Sequence, residues 1–156
     1  MDELFETYLQ DHYAGAVGGV ELARRVEDEN KGTELEDRFH LVRVQIEEDH
    51  EVLGRLLEQY GVEPSRAKNA GSWVAEKVAR LKSNGKVMEY SPLSRVLEVE
   101  GLIGAVNMKR ALWETLAQRQ TNGSAIKAEE LIARAEAQLE TLEDLHRASV
   151  DLAFTD

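Results

Sequence analysis

The chain has 156 residues, enough for one domain with a real core, and its 42% apolar and 31% charged content is the balance expected of a globular protein. A net charge of −11, without a run of Lys/Arg or a basic tail, sets the surface against nucleic acid and anionic membranes. Cysteine is absent, which excludes disulfides and thiolate metal sites; a reducing cytoplasm is the expected location. The acidic start, Met1 to Glu6, has no apolar core of signal-peptide length, and no apolar run reaches the roughly 18 residues of a membrane span.

Only two prolines, Pro64 and Pro92, interrupt the chain, which favours long helices over a turn-rich β fold. The first helix is expected over 2–30, stopping at Asn30-Lys31-Gly32, where Gly32 can take the left-handed conformation. Thr33 then reads as the cap of a second helix, with Glu36 at capping-box spacing, and that helix runs to Tyr60 and stops at Gly61. A shorter helix is expected over 66–83, carrying Trp73, Val74, Val78 and Leu81 on one side. Ser91-Pro92 opens another long helix as cap and first helical residue, running to Gln120. After the turn Thr121-Asn122-Gly123-Ser124, a last helix covers 125–153. The plan is two tight antiparallel hairpins joined by a long crossover, a single domain over 1–156.

Helical-wheel placement at about 100° per residue puts ionisable groups on the apolar stripes. In the first helix the stripe is Phe5, Tyr8, Leu9, His12, Gly15, Ala16, Gly19, Ala23 and Val26, with a centre of small residues that lets a neighbour approach. In the second it is Leu35, Phe39, Val42, Ile46, Asp49, Leu53, Leu56, Leu57 and Tyr60; Glu47 and Glu48 point away and His50 flanks it. In the helix after Pro92 it is Glu98, Leu102, Ala105, Lys109, Leu112, Trp113 and Leu116. In the last it is Leu131, Ala135, Leu139, Leu142, His146, Ser149 and Ala153, with Glu143 at the edge. A lone His on such a stripe is more often a hydrogen-bonded core residue than a ligand. A lone carboxylate there is usually paired with Lys, Arg or a hydroxyl. The aromatics Tyr8, Trp73 and Trp113 read as core fillers.

The stretch Ile46 to Pro64 resembles the end of the second helix of ferritin-like proteins, and the two-hairpin plan extends the resemblance over the whole chain. The resemblance implies an all-α, ferritin-like four-helix bundle with a short helix in the crossover. It also implies a di-metal site taking a Glu from each of two helices and a Glu-x-x-His from each of the other two. Glu47-x-x-His50 and Glu143-x-x-His146 have that spacing. The second copy fits the wheel. In the first, aligning the apolar positions places Asp49 where the family has its metal His, and Ile46 where it has a Glu. Counting back from the first turn puts His12 near the remaining family Glu position.

Two arrangements follow. If the short helix caps one end, His12, Asp49, Glu98 and His146 share a layer, with Glu143 beside them, and make a candidate site for Fe, Mn or Zn. If the crossover travels the bundle's length, as the resemblance implies, Glu98 moves to the opposite end. Lys109 then meets Asp49 beside His12 as a buried polar network in the metal position. The corresponding functions are a metal-substituted structural or interaction module that self-associates, and an Fe/Mn-dependent oxidoreductase or iron-handling protein. DNA protection is a distant third on this acidic surface. Gly19→Leu is expected to overpack the bundle, costing about 1–3 kcal/mol.

Overall fold

The computed structural model describes residues 2–64, 90–119 and 127–154. They form an all-α four-helix bundle of α1 (Glu3–Glu29), α2 (Glu36–Tyr60), α3 (Pro92–Arg119) and α4 (Ala128–Ala153), with no strand among the described residues. The short helix expected over 66–83 and the turn at 121–124 lie outside the described residues.

Local chemistry sets the helix ends. Asp2 caps α1 by accepting from the Leu4 N–H at 3.1 Å. α2 begins at Glu36, two residues later than the Thr33 cap predicts, with Leu35 in the cap position. Thr33 instead makes a turn of its own, its hydroxyl donating to Asn30 O at 2.7 Å. Glu36 still reaches back across the junction, but to the Gly32 N–H, at 2.7 Å. At the other end of α2, Gly61 takes φ 66° and closes a Schellman stop: the Val62 N–H donates to Leu57 O and the Gly61 N–H to Glu58 O. Val62 and Leu57 are both buried there, the apolar contact that accompanies this stop. Ser91 caps α3 as its sequence predicts, accepting from the Ser94 N–H at 3.2 Å, with Pro92 first in the helix.

Side-chain partners fix how the helices lie. Between α1 and α2, Phe5 meets Tyr60, Tyr13 meets His50, and Glu27 meets Arg43. Between α1 and α3, Tyr8 bonds Thr115, Gly19 faces Ala105, Leu22 abuts Gly101 and Arg25 pairs with Glu98. Between α3 and α4, Lys109 bonds Gln138 and Glu100 meets His146. In each pair the partners run in reverse sequence order. The backbones of α1 and α4, and of α2 and α3, do not touch, so these stand diagonally across the bundle, and α2 meets α4 only thinly.

The core is the sum of the inward stripes: Leu9, Val26, Phe39, Leu102, Trp113 and Leu142 are all fully buried. Each such side chain contributes roughly 1.5–3 kcal/mol relative to exposure. Tyr60, expected inside, is 41% exposed because it is the last residue of α2, where the bundle ends.

The tightest helix approach is at Gly101, where a Cβ would stand 3.0 Å from Leu22 Cδ2; at Gly19 it would stand a comfortable 3.7 Å from Ala105 Cβ. Alanine therefore fits at 19, and any overpacking by leucine there comes from its outer carbons. Gly101→Leu should lower stability by about 1–3 kcal/mol, read as an earlier urea midpoint. Gly101→Ala, which asks Leu22 to yield only slightly, should stay near neutral in the same measurement.

Candidate functional site

Asp49 falls on the buried series Val42, Ile46, Leu53 and Leu56 of α2 and is itself 2% exposed. A carboxylate so placed must be matched by charge and hydrogen bonds. Lys109, projecting from α3, donates its ammonium to Asp49 Oδ2 and, at 2.5 Å, to Gln138 Oε1 of α4. Gln138 is also buried, and its Nε2 returns a bond to Asp49 Oδ2 at 2.8 Å. Three helices thus meet in a closed triangle of carboxylate, ammonium and amide. Arg134 stands over it, with Nε 3.1 Å from Asp49 Oδ1 but not aligned for a hydrogen bond, so that oxygen is left with charge attraction alone. The Arg134 guanidinium is held by Gln45 O at 3.0 Å and Glu48 Oε2 at 2.5 Å. Burial pushes the Lys109 ammonium below its ordinary value, and the Asp49 charge opposes that.

Beside the triangle, a cleft of about 560 Å³ opens between α1, α2 and α3. Asp49 and Lys109 reach its wall together with His12, His50 and Trp113. His12 stacks edge-on with Tyr8, ring centroids 4.5 Å apart, and His50 tilts against Tyr13 at 4.9 Å. Burial lowers the basicity of both imidazoles; the Asp11 charge partly offsets this for His12, while Arg24 reinforces it for His50.

Towards the end of the bundle where α1 closes, Glu98, also 2% exposed, is bound by Arg25 Nε at 2.6 Å with Tyr90 near it. Burial there raises the Glu98 carboxyl despite Arg25. A third, more exposed network ties α1 to α2 through Arg24, Glu27, His40, Arg43 and Glu47. Burial tends to raise Glu27 and Glu47, but the hydrogen bonds from Arg43 and its neighbours outweigh it and hold both below the usual carboxylate range.

The residues singled out in sequence therefore part company. Asp49 and Lys109 meet; His12 shares their cleft but makes no hydrogen bond to either among the described residues. Glu98 sits with Arg25, His146 with Glu100 at 3.1 Å, and Glu143 is exposed. The single layer of His12, Asp49, Glu98 and His146 does not form, because the reversed run of α3 against α1 carries Glu98 to the far end. Among the described residues no group of three or more His, Asp or Glu side chains is placed to hold a metal. Gln138 and Arg134, which the polar triangle uses, were not picked out in sequence. Gln138 lies seven residues after Leu131 and four before Leu142, so the same periodicity marks it. Arg134 reaches in on its long stem from the edge of that face.

No protein-family model matches this chain, and no curated protein or solved structure matches it either.

Lys109→Met should leave the Asp49 charge short of its main partner. The expected loss is about 3 kcal/mol in urea unfolding, the low end for a broken buried pair because Arg134 stays close. Adding Asp49→Leu should recover most of it. Acid should also act through the imidazoles. The unfolded chain takes up protons near pH 6.5 while folded His12 and His50 resist them, so stability falls as pH drops below 6.5. The double variant His12→Gln/His50→Gln should flatten that part of the stability–pH curve, leaving the later fall below pH 4.5, where the unfolded chain's carboxylates take up protons that folded Glu27 and Glu47 resist.

Proposed function

We propose that this chain is a ferritin-like bundle in which an internal ion pair stands in place of the di-metal centre, and that it acts as a structural or interaction module that self-associates. The observation that carries this reading is the Lys109 ammonium seated on Asp49. A positive side chain delivers at that point the charge that metal ions would otherwise supply to the carboxylate.

The reversed order of partners within α1–α2, α3–α4 and α1–α3 supports two antiparallel hairpins joined by a crossover that returns along the bundle. Lys109, not Glu98, stands level with Asp49, as that connection requires. The donor set does not fit iron or manganese: the central carboxylate is engaged by ammonium and amide, and the other acids and imidazoles are dispersed over separate pairs. Leu4, Leu41, Leu93 and Met108 are each at least 46% exposed, but they are spread over three helices, with Leu4 and Leu93 at opposite ends of the bundle. The self-association in this reading therefore rests on the ferritin-like resemblance and not on one apolar patch. The net charge of −11 disfavours nucleic acid, and no described helix is long and apolar enough to cross a membrane.

Purification without chelators followed by elemental analysis should find iron and manganese well below one equivalent per chain. Light scattering should give a mass that is a multiple of the single chain. A stoichiometric metal content that disappears in Asp49→Ala would sink this reading and favour a metal-dependent oxidoreductase.

A further inference from the structure

The cleft beside the Asp49–Lys109 pair has the size and lining of a small-molecule pocket. Its volume of about 560 Å³ lies within the roughly 300–1,000 Å³ of ordinary ligand sites. It is far larger than the roughly 30 Å³ that one bridging water fills. Gly15, Ala16, Gly19 and Ala105 keep one side shallow, and Leu53 and Leu112 supply apolar wall. A Cβ added at Gly15 would meet nothing within 4 Å, so this position opens on empty space and not on a packed neighbour.

Polar groups without partners lie on the same wall. Trp113 is 1% exposed, lines the cleft, and its Nε1 donor is buried without a hydrogen-bond partner among the described residues. His50 Nε2 is in the same condition. The Lys109 ammonium uses two of its three donors on Asp49 and Gln138. Among the described residues, the free donors on the wall are thus Trp113 Nε1 and the third Lys109 hydrogen, with His50 Nε2 donating or accepting according to its tautomer and Asp49 Oδ1 already facing Arg134. The inner charges are matched, since Lys109 and Arg134 face Asp49 and both imidazoles resist protonation. An anionic guest would find no free cation among the described residues and would meet Asp11 at the rim, and a cationic one would have only that exposed carboxylate, outside the apolar interior.

We infer that this cleft binds an uncharged, mainly apolar molecule, about the size of two fused rings, that carries a carbonyl-type hydrogen-bond acceptor. The test titrates a neutral dialkylamino-naphthyl ketone into the full chain in a Trp73→Phe background, so that quenching reports on Trp113 alone. One probe per chain should bind, with blue-shifted probe emission. An anionic naphthalene sulfonate of similar size should bind at least about tenfold more weakly. Gly15→Phe, which fills the cleft, should weaken the ketone at least about tenfold while helicity and melting temperature hold. If that variant fails to fold, Gly15→Leu serves the same purpose with less bulk. The proposal is overturned if the ketone does not bind, as when the cleft is filled in solution by the chain's own residues. It is equally overturned if binding survives the filling substitution, or if the sulfonate binds as well as the ketone. The titration reads the cleft and not metal content, so this inference and the proposed role fail separately.

Discussion

A single buried carboxylate organises the middle of this bundle. Asp49 has left water, and the cost of doing so is met by groups from two other helices, Lys109 and Gln138. Such an arrangement adds little net stability, because three polar groups lose hydration to form it. What it supplies is register. A slide of one helical turn, about 5.4 Å, would part every bond in the triangle, whereas a wholly apolar seam would tolerate it. This matters most between α2 and α4, which touch thinly and owe much of their alignment to Arg134, Glu48 and Asp49.

The same triangle shapes the space next to it. α1 offers small residues opposite it, Gly15, Ala16 and Gly19, so no large side chain from that helix fills the centre. Trp113 and Leu112 close the cleft from α3. Two imidazoles whose basicity burial lowers lie on its wall, and the one unpaired charge among the described lining residues, Asp11, stands at the exposed rim. Strong electrostatics thus sits behind the cleft, and weak, directional polarity sits inside it.

Most of the bundle was readable from periodicity and punctuation. Gly32, Gly61 and Ser91-Pro92 mark their turns by backbone chemistry that depends on neighbours a few residues away, so sequence alone shows it. Asp49, Glu98 and Lys109 stood out because each breaks an apolar stripe. Which of them meet is different, since that depends on the path of the connection between the hairpins, and helical spacing is silent about it. Lys109 stands level with Asp49 only if that connection returns along the bundle, as the ferritin-like resemblance implies; if it does not, Glu98 takes that level. Gln138 lies on the inward stripe of α4, but an uncharged amide there raises no alarm of the kind a carboxylate or ammonium does. The cleft escaped because a gap between three helices has no signature in any one of them. The start of α2 differs because Thr33 is engaged in a turn with Asn30 and Leu35, and Glu36 accepts from the Gly32 N–H in place of the Thr33 N–H of a capping box.

Asn30 has a bearing on how the molecule assembles. It ends α1, is wholly buried, and bonds Tyr90 at 3.0 Å and Arg95 at 2.5 Å, residues 60 and 65 positions further on. The Tyr8–Thr115 bond closes a span of 107 residues, and Asp49–Gln138 one of 89. Simple up-and-down bundles satisfy themselves between chain neighbours and collapse quickly. Here the faces of α1 and α2 that meet α3 and α4 stay open until the distant half of the chain arrives, so loop-closure entropy is spent before those contacts form. The search for the native state should accordingly be slower than in an up-and-down helical bundle of the same length.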